Sequence, residues 1–241
     1  MTNTPHIARV GLSGVVVTFG DTLTERANLA AIAFRAAVDA EGWDEVSETA
    51  STLVSTFLSI DLTTTPFAEI EPRLTALLAT RDWYAEALPP GRKLWTIPMC
   101  FEPEVAPQLA EAAAAAGLTE PAARAELTNA RTRVITLGYA PGQPYLGLLP
   151  DTWDISRQAE LTPQVPAGAL VLAIRQFVLF TAAMPTGWRH VGQTAFRPFD
   201  PQRAAPVALA PGDEIRFAPI TARELGAATD TLGGAVWEPL P

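Results

Sequence analysis

The first ninety residues alternate between strand-type and helix-type hydrophobic patterns. An apolar run over residues 8–19 predicts a strand that ends in a Gly-Asp turn. Apolar residues then recur every three or four positions between a capping Thr24 and Gly42, which predicts a helix. The β-branched stretch 46–60 predicts one long strand or a pair, and a second helix is expected to begin near Pro66. This order of elements predicts a small α+β sandwich of ferredoxin-like character.

The pattern changes after a short segment that is rich in proline and glycine. A strand is predicted over 93–99, an alanine-rich helix over 104–116, and a second short helix from Thr119. From residue 131 onward, short apolar runs alternate with Pro- and Gly-rich turns, which is typical of an all-β, barrel-like domain. The predicted divisions are an N-terminal α+β domain over 1–88, a linker over 89–92, a β-barrel domain over 93–222 and a loosely held tail over 223–241.

Composition and charge narrow the class of protein. The chain has 241 residues, 48% of them hydrophobic, and a formal net charge of −9 at pH 7. This length and apolar content allow each domain to bury a core of its own. The acidic balance and the scattered arginines argue against nucleic acid or a membrane surface as partner. One cysteine, Cys100, in an apolar run, and the lack of a long apolar segment predict a soluble protein of the reducing cytoplasm.

Residue types that are needed for several common catalytic sites are scarce. The two histidines, His6 and His190, cannot form a three-histidine zinc site, and no Cys/His cluster has metal-ligand spacing, so no metal site is predicted. Lys93 is the only lysine, and there is no Walker-type phosphate loop. A site for phosphate or carboxylate would therefore depend on arginine and backbone N–H groups.

The stretch 138–150 is unusual because it combines three glycines, three prolines and two tyrosines. Glycine allows the backbone to come close to a ligand, while aromatic rings form a wall. One interpretation is a ligand-facing loop in which Tyr139 and Tyr145 stack or donate hydrogen bonds. The other is a conformationally demanding barrel loop whose tyrosines pack on the core.

Several polar residues that follow this stretch have both a functional and a structural interpretation. Arg175 and Arg189, like Arg157, could clamp a carboxylate or phosphate, or could belong to a solvated face. His190 could be a general base, or a half-exposed strand residue. Two aspartates could activate water, or could cap a turn; these are Asp151 and Asp154.

Together these motifs resemble one family. The motifs are, in chain order, residues 138–150, Val165-Pro166-Ala167-Gly168, Gln176, Pro185-Thr186-Gly187-Trp188, Val191-Gly192-Gln193-Thr194 and Pro211-Gly212-Asp213-Glu214-Ile215-Arg216-Phe217. The chain resembles, over nearly its whole length, the family of allophanate hydrolase subunit 1, which also contains the B subunit of 5-oxoprolinase and the sporulation-kinase inhibitor KipI. The resemblance implies a cyclophilin-like β-barrel for the second domain and a homologous C-type partner, subunit 2, in a heteromer.

The resemblance also implies a reaction. The chain is similar to the B-type subunit of an ATP-dependent amide hydrolase, most like 5-oxoprolinase, which opens 5-oxoproline to glutamate, with ATP and Mg²⁺ as implied nucleotide and metal. The expected substrate-binding residues are Gly138, Tyr139, Pro141, Gly142, Tyr145, Arg157, Gln176, Gly187 and Trp188; the catalytic residues stay unassigned. Two alternatives stay open: a non-catalytic regulatory binding protein resembling KipI, or a diverged subunit acting on a urea-like amide such as allophanate.

The sequence departs from the family pattern at several polar positions. Gln108 stands where the family usually carries aspartate, and Gln158 replaces the second arginine of a pair. A histidine-serine pair is missing near 127–129, Gln164 replaces an arginine, and Thr186 replaces a glycine. Polar loop residues carry chemistry more often than packing, so these departures favour the regulatory alternative.

Overall fold

The computed structural model describes residues 4–228 and 230–240, which divide into two compact units, Met1–Pro90 and Gly91–Pro241. Each unit combines helices with a sheet and has a buried hydrophobic core of its own, and the predicted α+β class is confirmed. In these ranges, none of the helices has both the length and the apolar character that crossing a bilayer requires.

The first unit is a four-stranded antiparallel sheet with two helices. Its elements are β1 (His6–Val10), β2 (Gly14–Thr18), α1 (Glu25–Glu41), β3 (Glu48–Ser51), β4 (Ser55–Ser59) and α2 (Phe67–Leu78). The strand order is β1-β2-β4-β3. Helix α1 therefore joins β2 to β3 with β4 between them, which is the split β-α-β arrangement of ferredoxin-like folds. The fourth strand, β1, precedes this arrangement in the chain instead of following α2.

The predicted ends of the helices and strands in the first unit agree with the structure except in the run 8–19. Thr24 accepts a hydrogen bond from the Ala27 N–H at 3.2 Å, and Gly42 ends α1 in the left-handed conformation at φ 63°. The run 8–19 forms a hairpin and not one strand, because Gly11, at φ 59°, turns the chain between β1 and β2. The stretch 46–60 supplies a pair of strands, and α2 begins after Pro66 as predicted.

The second unit is built on an eight-stranded sheet, with a separate two-stranded sheet beside it. Its elements are β5 (Lys93–Met99), α3 (Leu109–Ala115), α4 (Glu120–Asn129), β6 (Arg131–Leu137), β7 (Pro144–Gly147), β8 (Thr162–Val165), β9 (Ala169–Ala173), β10 (Gln176–Leu179), β11 (Met184–Thr186), β12 (Arg189–Gln193), β13 (Glu214–Pro219), α5 (Ala222–Gly226) and β14 (Val236–Pro239). The large sheet has the order β12-β9-β10-β7-β6-β13-β5-β14, while β8 pairs with β11. Cys100, after β5, and Gln193, on β12, exchange backbone hydrogen bonds of 2.8 and 2.9 Å, which closes the sheet on itself.

Strands β9 and β10 are buried on both faces, which explains their continuous apolar sequence. Leu170 and Leu172 belong to the main core inside the closed sheet. Val171 and Val178 point the other way and pack with Trp188 in a second buried cluster. This second cluster includes side chains of β8 and β11, so the β8–β11 pair covers the outer face of the sheet.

Two segments of the second unit differ from the sequence-based expectation. Helix α3 begins at Leu109, because residues 102–108 form turns and not the start of a long helix. In the tail, which was expected to be loosely held over 223–241, β14 pairs with the free edge of β5. The Lys93 ammonium lies 4.6 Å from the ring centroid of Trp237, which adds a cation–π contact to this pairing. Residues 229 and 241 of the tail lie outside the described residues.

Candidate ligand-binding site

A cavity of about 400 Å³ lies in the second unit, where β8–β11 covers the outer face of the sheet. Its walls come from the loop before β7, from β7 and β10, from the segment between β7 and β8, and from β11 with the residues that follow it. The lining residues are Tyr139, Gln143, Tyr145, Arg157, Gln158, Leu161, Val178, Phe180, Met184, Pro185, Thr186, Gly187 and Trp188. A volume of this size is in the range of small-molecule pockets, and its mixture of apolar walls and a few polar groups is typical of them.

The structure brings some of the sequence-predicted residues together and leaves others apart. The predicted residues that line the cavity are Tyr139, Tyr145, Arg157, Gly187 and Trp188. Those that do not are Gly138, Pro141, Gly142 and Gln176. Gly142 has a packing role, because at φ 62° a side chain there would lie 3.0 Å from Cβ of Phe199. Gln176 is buried on β10, paired with Gly147 and Ala173 in the ladders.

The stretch 138–150 is a tight turn followed by a strand. The Gly138 N–H donates to the Gln143 carbonyl at 3.0 Å, and the Gln143 N–H donates to the Ala140 carbonyl at 3.1 Å. Between them, Tyr139 adopts φ 61°, a left-handed conformation that costs a non-glycine residue about 1 kcal/mol or more. Tyr139 as a residue is 87% exposed, and it lies at the edge of the cavity. The strained turn therefore holds an aromatic side chain in solvent beside the cavity.

An aromatic and cationic group forms the centre of the site. The rings of Tyr145 and Trp188 meet edge-on, with centroids 6.3 Å apart. The guanidinium carbon of Arg157 lies 5.4 Å from the Trp188 ring centroid, a cation–π geometry. Among the described residues, no carboxylate forms an ion pair with Arg157. Arg157 is thus an exposed cation that is positioned by an aromatic wall and able to bind an anion.

The other candidate anion clamps are bound to protein groups. Arg175 pairs with Asp151 at 2.6 Å and donates to the Leu149 carbonyl at 2.9 Å. Arg189 pairs with Glu111 at 2.8 Å. Neither arginine lines the cavity, so of the three arginines only Arg157 belongs to the candidate site.

His190 and the two aspartates lie outside the cavity. His190 is buried on β12, and burial lowers the pKa of its imidazole, although contacts with the Gly192 backbone and the Gln193 side chain act in the opposite direction. Asp151 begins a 3-10 turn, and Asp154 donates its N–H to the Asp151 carbonyl at 2.9 Å. Both aspartates thus form a turn, which is their structural interpretation. His190 does not line the cavity, so the structure does not place it where it could act as a base on a ligand there.

Burial raises the pKa of the Tyr145 phenol above its usual value of about 10, while the nearby charge of Arg157 acts against this shift. The phenol therefore stays protonated at neutral pH, and its O–H can donate a hydrogen bond to a carbonyl or carboxylate in the cavity. The positive charge and the phenol together suit a ligand that carries oxygen acceptors.

The Tyr145 shift can be measured by an ultraviolet titration of tyrosinate. The step that disappears in Tyr145→Phe is expected to have a midpoint above about 10, because burial disfavours the charged form. In an Arg157→Gln background the midpoint should rise further, since an attractive charge is removed. If the titration step that is lost in Tyr145→Phe has its midpoint at or below pH 10 in the wild type, the burial of this phenol is contradicted.

Several lining residues were not predicted from the sequence. Gln143 and Thr186 stand inside the quoted motifs and are buried, and a polar residue inside a Gly/Pro motif is a usable signal for them. Gln158 follows Arg157 directly. Leu161 and Met184 gave no signal, because they reach the cavity only when β8 pairs with β11.

A metal site was not predicted. Across residues 4–228 and 230–240, no group of three or more His, Cys, Asp or Glu side chains could hold a metal ion.

Residues 5–209 match the family of the carboxyltransferase domain, subdomains C and D, and the chain belongs to this family. The chain is similar to the B subunit of 5-oxoprolinase from Escherichia coli, with 36% identity over 148 residues that cover 61% of this chain and 68% of that protein. It is also similar to the B subunit of 5-oxoprolinase from Bacillus subtilis, with 27% identity over 234 residues that cover 93% of this chain and 96% of that protein.

Among solved structures, that of TTHA0988 superposes with a TM-score of 0.73 and 25% identity, over 87% of this chain. This chain spans 40% of the length of TTHA0988. The family membership that was expected from the motifs is therefore confirmed.

Proposed function

We propose that the chain is the B-type subunit of a heteromeric, ATP-dependent amide hydrolase of the 5-oxoprolinase type, and that the cavity beside Trp188 binds the amide substrate. The similarity to two proteins that are named as the B subunit of 5-oxoprolinase supports the reaction. The observation that carries the site is the unpaired Arg157 cation beside the Tyr145–Trp188 wall.

The chemistry of 5-oxoproline fits this cavity. The molecule is a small lactam ring with one carboxylate, and the cavity offers one cationic side chain and aromatic walls. A bidentate pair between the carboxylate and Arg157 would fix one end of the ligand. The protonated Tyr145 phenol would then donate to the lactam carbonyl, which needs such a donor when negative charge develops on its oxygen. In this proposal the chain binds and orients the amide.

The described residues of the cavity do not fit ATP with Mg²⁺. A triphosphate needs several cations or a nest of N–H groups, whereas Arg157 is the one cationic side chain among the lining residues. We assign the nucleotide to a site outside this cavity, on a complex with a homologous C-type subunit. We place the complex in the cytoplasm, where a free buried thiol such as that of Cys100 stays reduced.

The proposal is tested by co-purification of the chain with a C-type subunit and any further subunit of the complex. ATP hydrolysis is measured with and without 5-oxoproline, and binding of 5-oxoproline to the chain alone is measured by calorimetry. We expect a stable complex whose ATP hydrolysis is stimulated by 5-oxoproline. Failure to form a complex, or ATP hydrolysis that 5-oxoproline does not change, would overturn the assignment.

A regulatory, non-catalytic role is the second candidate, because two residues with large apolar side chains are exposed beside the cavity. Tyr139 is 87% exposed and Leu161 is 67% exposed. Such a rim suits a protein segment as well as a small molecule. The two roles differ in the same calorimetric experiment. A chain that binds a protein partner through Tyr139 but does not bind 5-oxoproline would support the regulatory role.

A further inference from the structure

Two side-chain amides link the cavity wall to the start of helix α3. The His190 N–H donates to Oε1 of Gln108 at 2.8 Å. Nε2 of Gln108 donates to Oε1 of Gln158 at 2.6 Å, and Nε2 of Gln158 donates to the Trp188 carbonyl at 3.0 Å. The chain of hydrogen bonds thus runs from one backbone group to another through two glutamines.

The donor-to-acceptor direction of this series of hydrogen bonds is fixed at both ends. A backbone N–H can only donate and a carbonyl can only accept, so His190 requires an acceptor and Trp188 requires a donor. Each glutamine must therefore accept at one end and donate at the other. Rotating either amide by half a turn would place two donors or two acceptors against each other. The orientation of both side chains follows from the backbone groups that they bind.

Gln108 also pairs with the backbone of β12 as a neighbouring strand would. Its own N–H donates to the His190 carbonyl at 3.0 Å, while its side chain accepts from the His190 N–H. Strand β12 stands at one end of the order of the large sheet. Cys100 pairs with its outer edge at Gln193, whereas at His190 the same edge is paired by Gln108 and not by a strand. Gln108, immediately before α3, thereby holds this edge at a defined position.

Gln158 holds the segment that carries the cavity wall. Its N–H donates to the Gly187 carbonyl at 2.7 Å, and its side chain donates to the Trp188 carbonyl. Gly187 and Trp188 both line the cavity, and Arg157 precedes Gln158 directly. The position of the Arg157 guanidinium over the Trp188 ring therefore depends on how Gln158 is held.

We propose that Gln108 and Gln158 are positioning residues of the candidate site, and that their hydrogen-bonded amides fix the Trp188 wall and the Arg157 cation for an anionic ligand. This rests on the proposed function only for the identity of the ligand, since the geometry of the wall can be measured without one. Neither residue needs to touch the ligand through its amide group.

The pairing can be tested by replacing the Gln108 amide with a carboxylate on a shorter side chain and the Gln158 amide with a guanidinium on a longer one. In Gln108→Asp the carboxylate can accept from the His190 N–H, but it faces the side-chain oxygen of Gln158. In Gln158→Arg the guanidinium can donate to the Trp188 carbonyl, but it faces the amide N–H group of Gln108. Each single change thus leaves one repulsive contact. The double variant restores an acceptor against a donor at every step.

The position of the wall is read from the indole N–H resonance of Trp188 in protein with ¹⁵N-labelled tryptophan, assigned with Trp188→Phe. Each single variant is expected to shift this resonance, and the double variant to return it towards the wild-type position. Affinity for 5-oxoproline should fall about tenfold in each single variant and recover to within about threefold in the double variant. Gln202→Asp and Gln202→Arg, at an exposed position, serve as controls for the added charge.

The outcomes separate the two proposals. If the wild type does not bind 5-oxoproline, the proposed function fails, and the resonance alone decides on the positioning role. A Trp188 resonance that no single variant shifts, or that the double variant shifts as far as the two single changes combined, would overturn that role. A lowered melting temperature with unchanged affinity and resonance would show a merely structural role and would also overturn it.

Discussion

Gly168→Ala is expected to lower the free energy of unfolding of the second unit by about 2 to 5 kcal/mol, the sum of a left-handed backbone cost and an overpacking cost. Gly168 has φ 81°, and a Cβ atom there would overlap the carbonyl oxygen of Thr194. The overlap cannot be relieved cheaply, because Gly168 accepts from the Thr194 N–H at 3.0 Å and donates to the Phe180 carbonyl at 2.8 Å. Urea unfolding of the purified variant measures the loss.

A matched control separates the two causes of this loss. Gly117 has a similar φ of 71°, but a Cβ atom there would have no neighbour within 4 Å. Gly117→Ala should therefore cost only about 1 kcal/mol, which is the cost of the backbone conformation alone. Equal losses in the two variants would show that the contact with Thr194 does not limit packing at Gly168.

Arg157→Gln is expected to weaken the binding of 5-oxoproline by about 10- to 100-fold, because a charge-assisted pair with the carboxylate is lost. The fold should stay intact, since Arg157 is exposed and its described contact is with the Trp188 ring. Calorimetry measures the affinity, and circular dichroism confirms the fold.

The control for this substitution is Arg124→Gln. Arg124 pairs with Glu120 on the surface of α4 and does not line the cavity, so its loss should leave the affinity unchanged. Unchanged affinity in Arg157→Gln, or equal weakening in both arginine variants, would place the ligand elsewhere.

Local sequence signals were sufficient for most helices and for the outline of the strands. Thr24 and Gly42 marked the ends of α1, and the sequence also marked the start of α4 after Thr119. Such signals depend on hydrogen bonds and backbone angles within a few residues, so the sequence carries them locally. Strand β14 was missed because its pairing with β5 joins segments that are far apart in the chain.

Two of the departures from the family pattern, Gln108 and Gln158, have a different meaning together than they have one at a time. In the sequence alone, Gln108 and Gln158 are two separate losses of a charged group, which favour a regulatory role. In the structure they contact each other at 2.6 Å, so they form one paired feature. Gln108 and Gln158 are fifty positions apart, and a single sequence does not indicate which residues at such a separation are in contact.

The sequence by itself determined the α+β class and the family, and it predicted three of the side chains that line the cavity, Tyr145, Arg157 and Trp188. These follow from residue types and short motifs, whose chemistry does not depend on distant partners. Only the tertiary structure decided that these three groups share one cavity, that Arg175 and Arg189 are already paired, and that Gln108 reaches Gln158. These facts depend on the closure of the sheet and on the pairing of β8 with β11, which bring together side chains from remote parts of the chain.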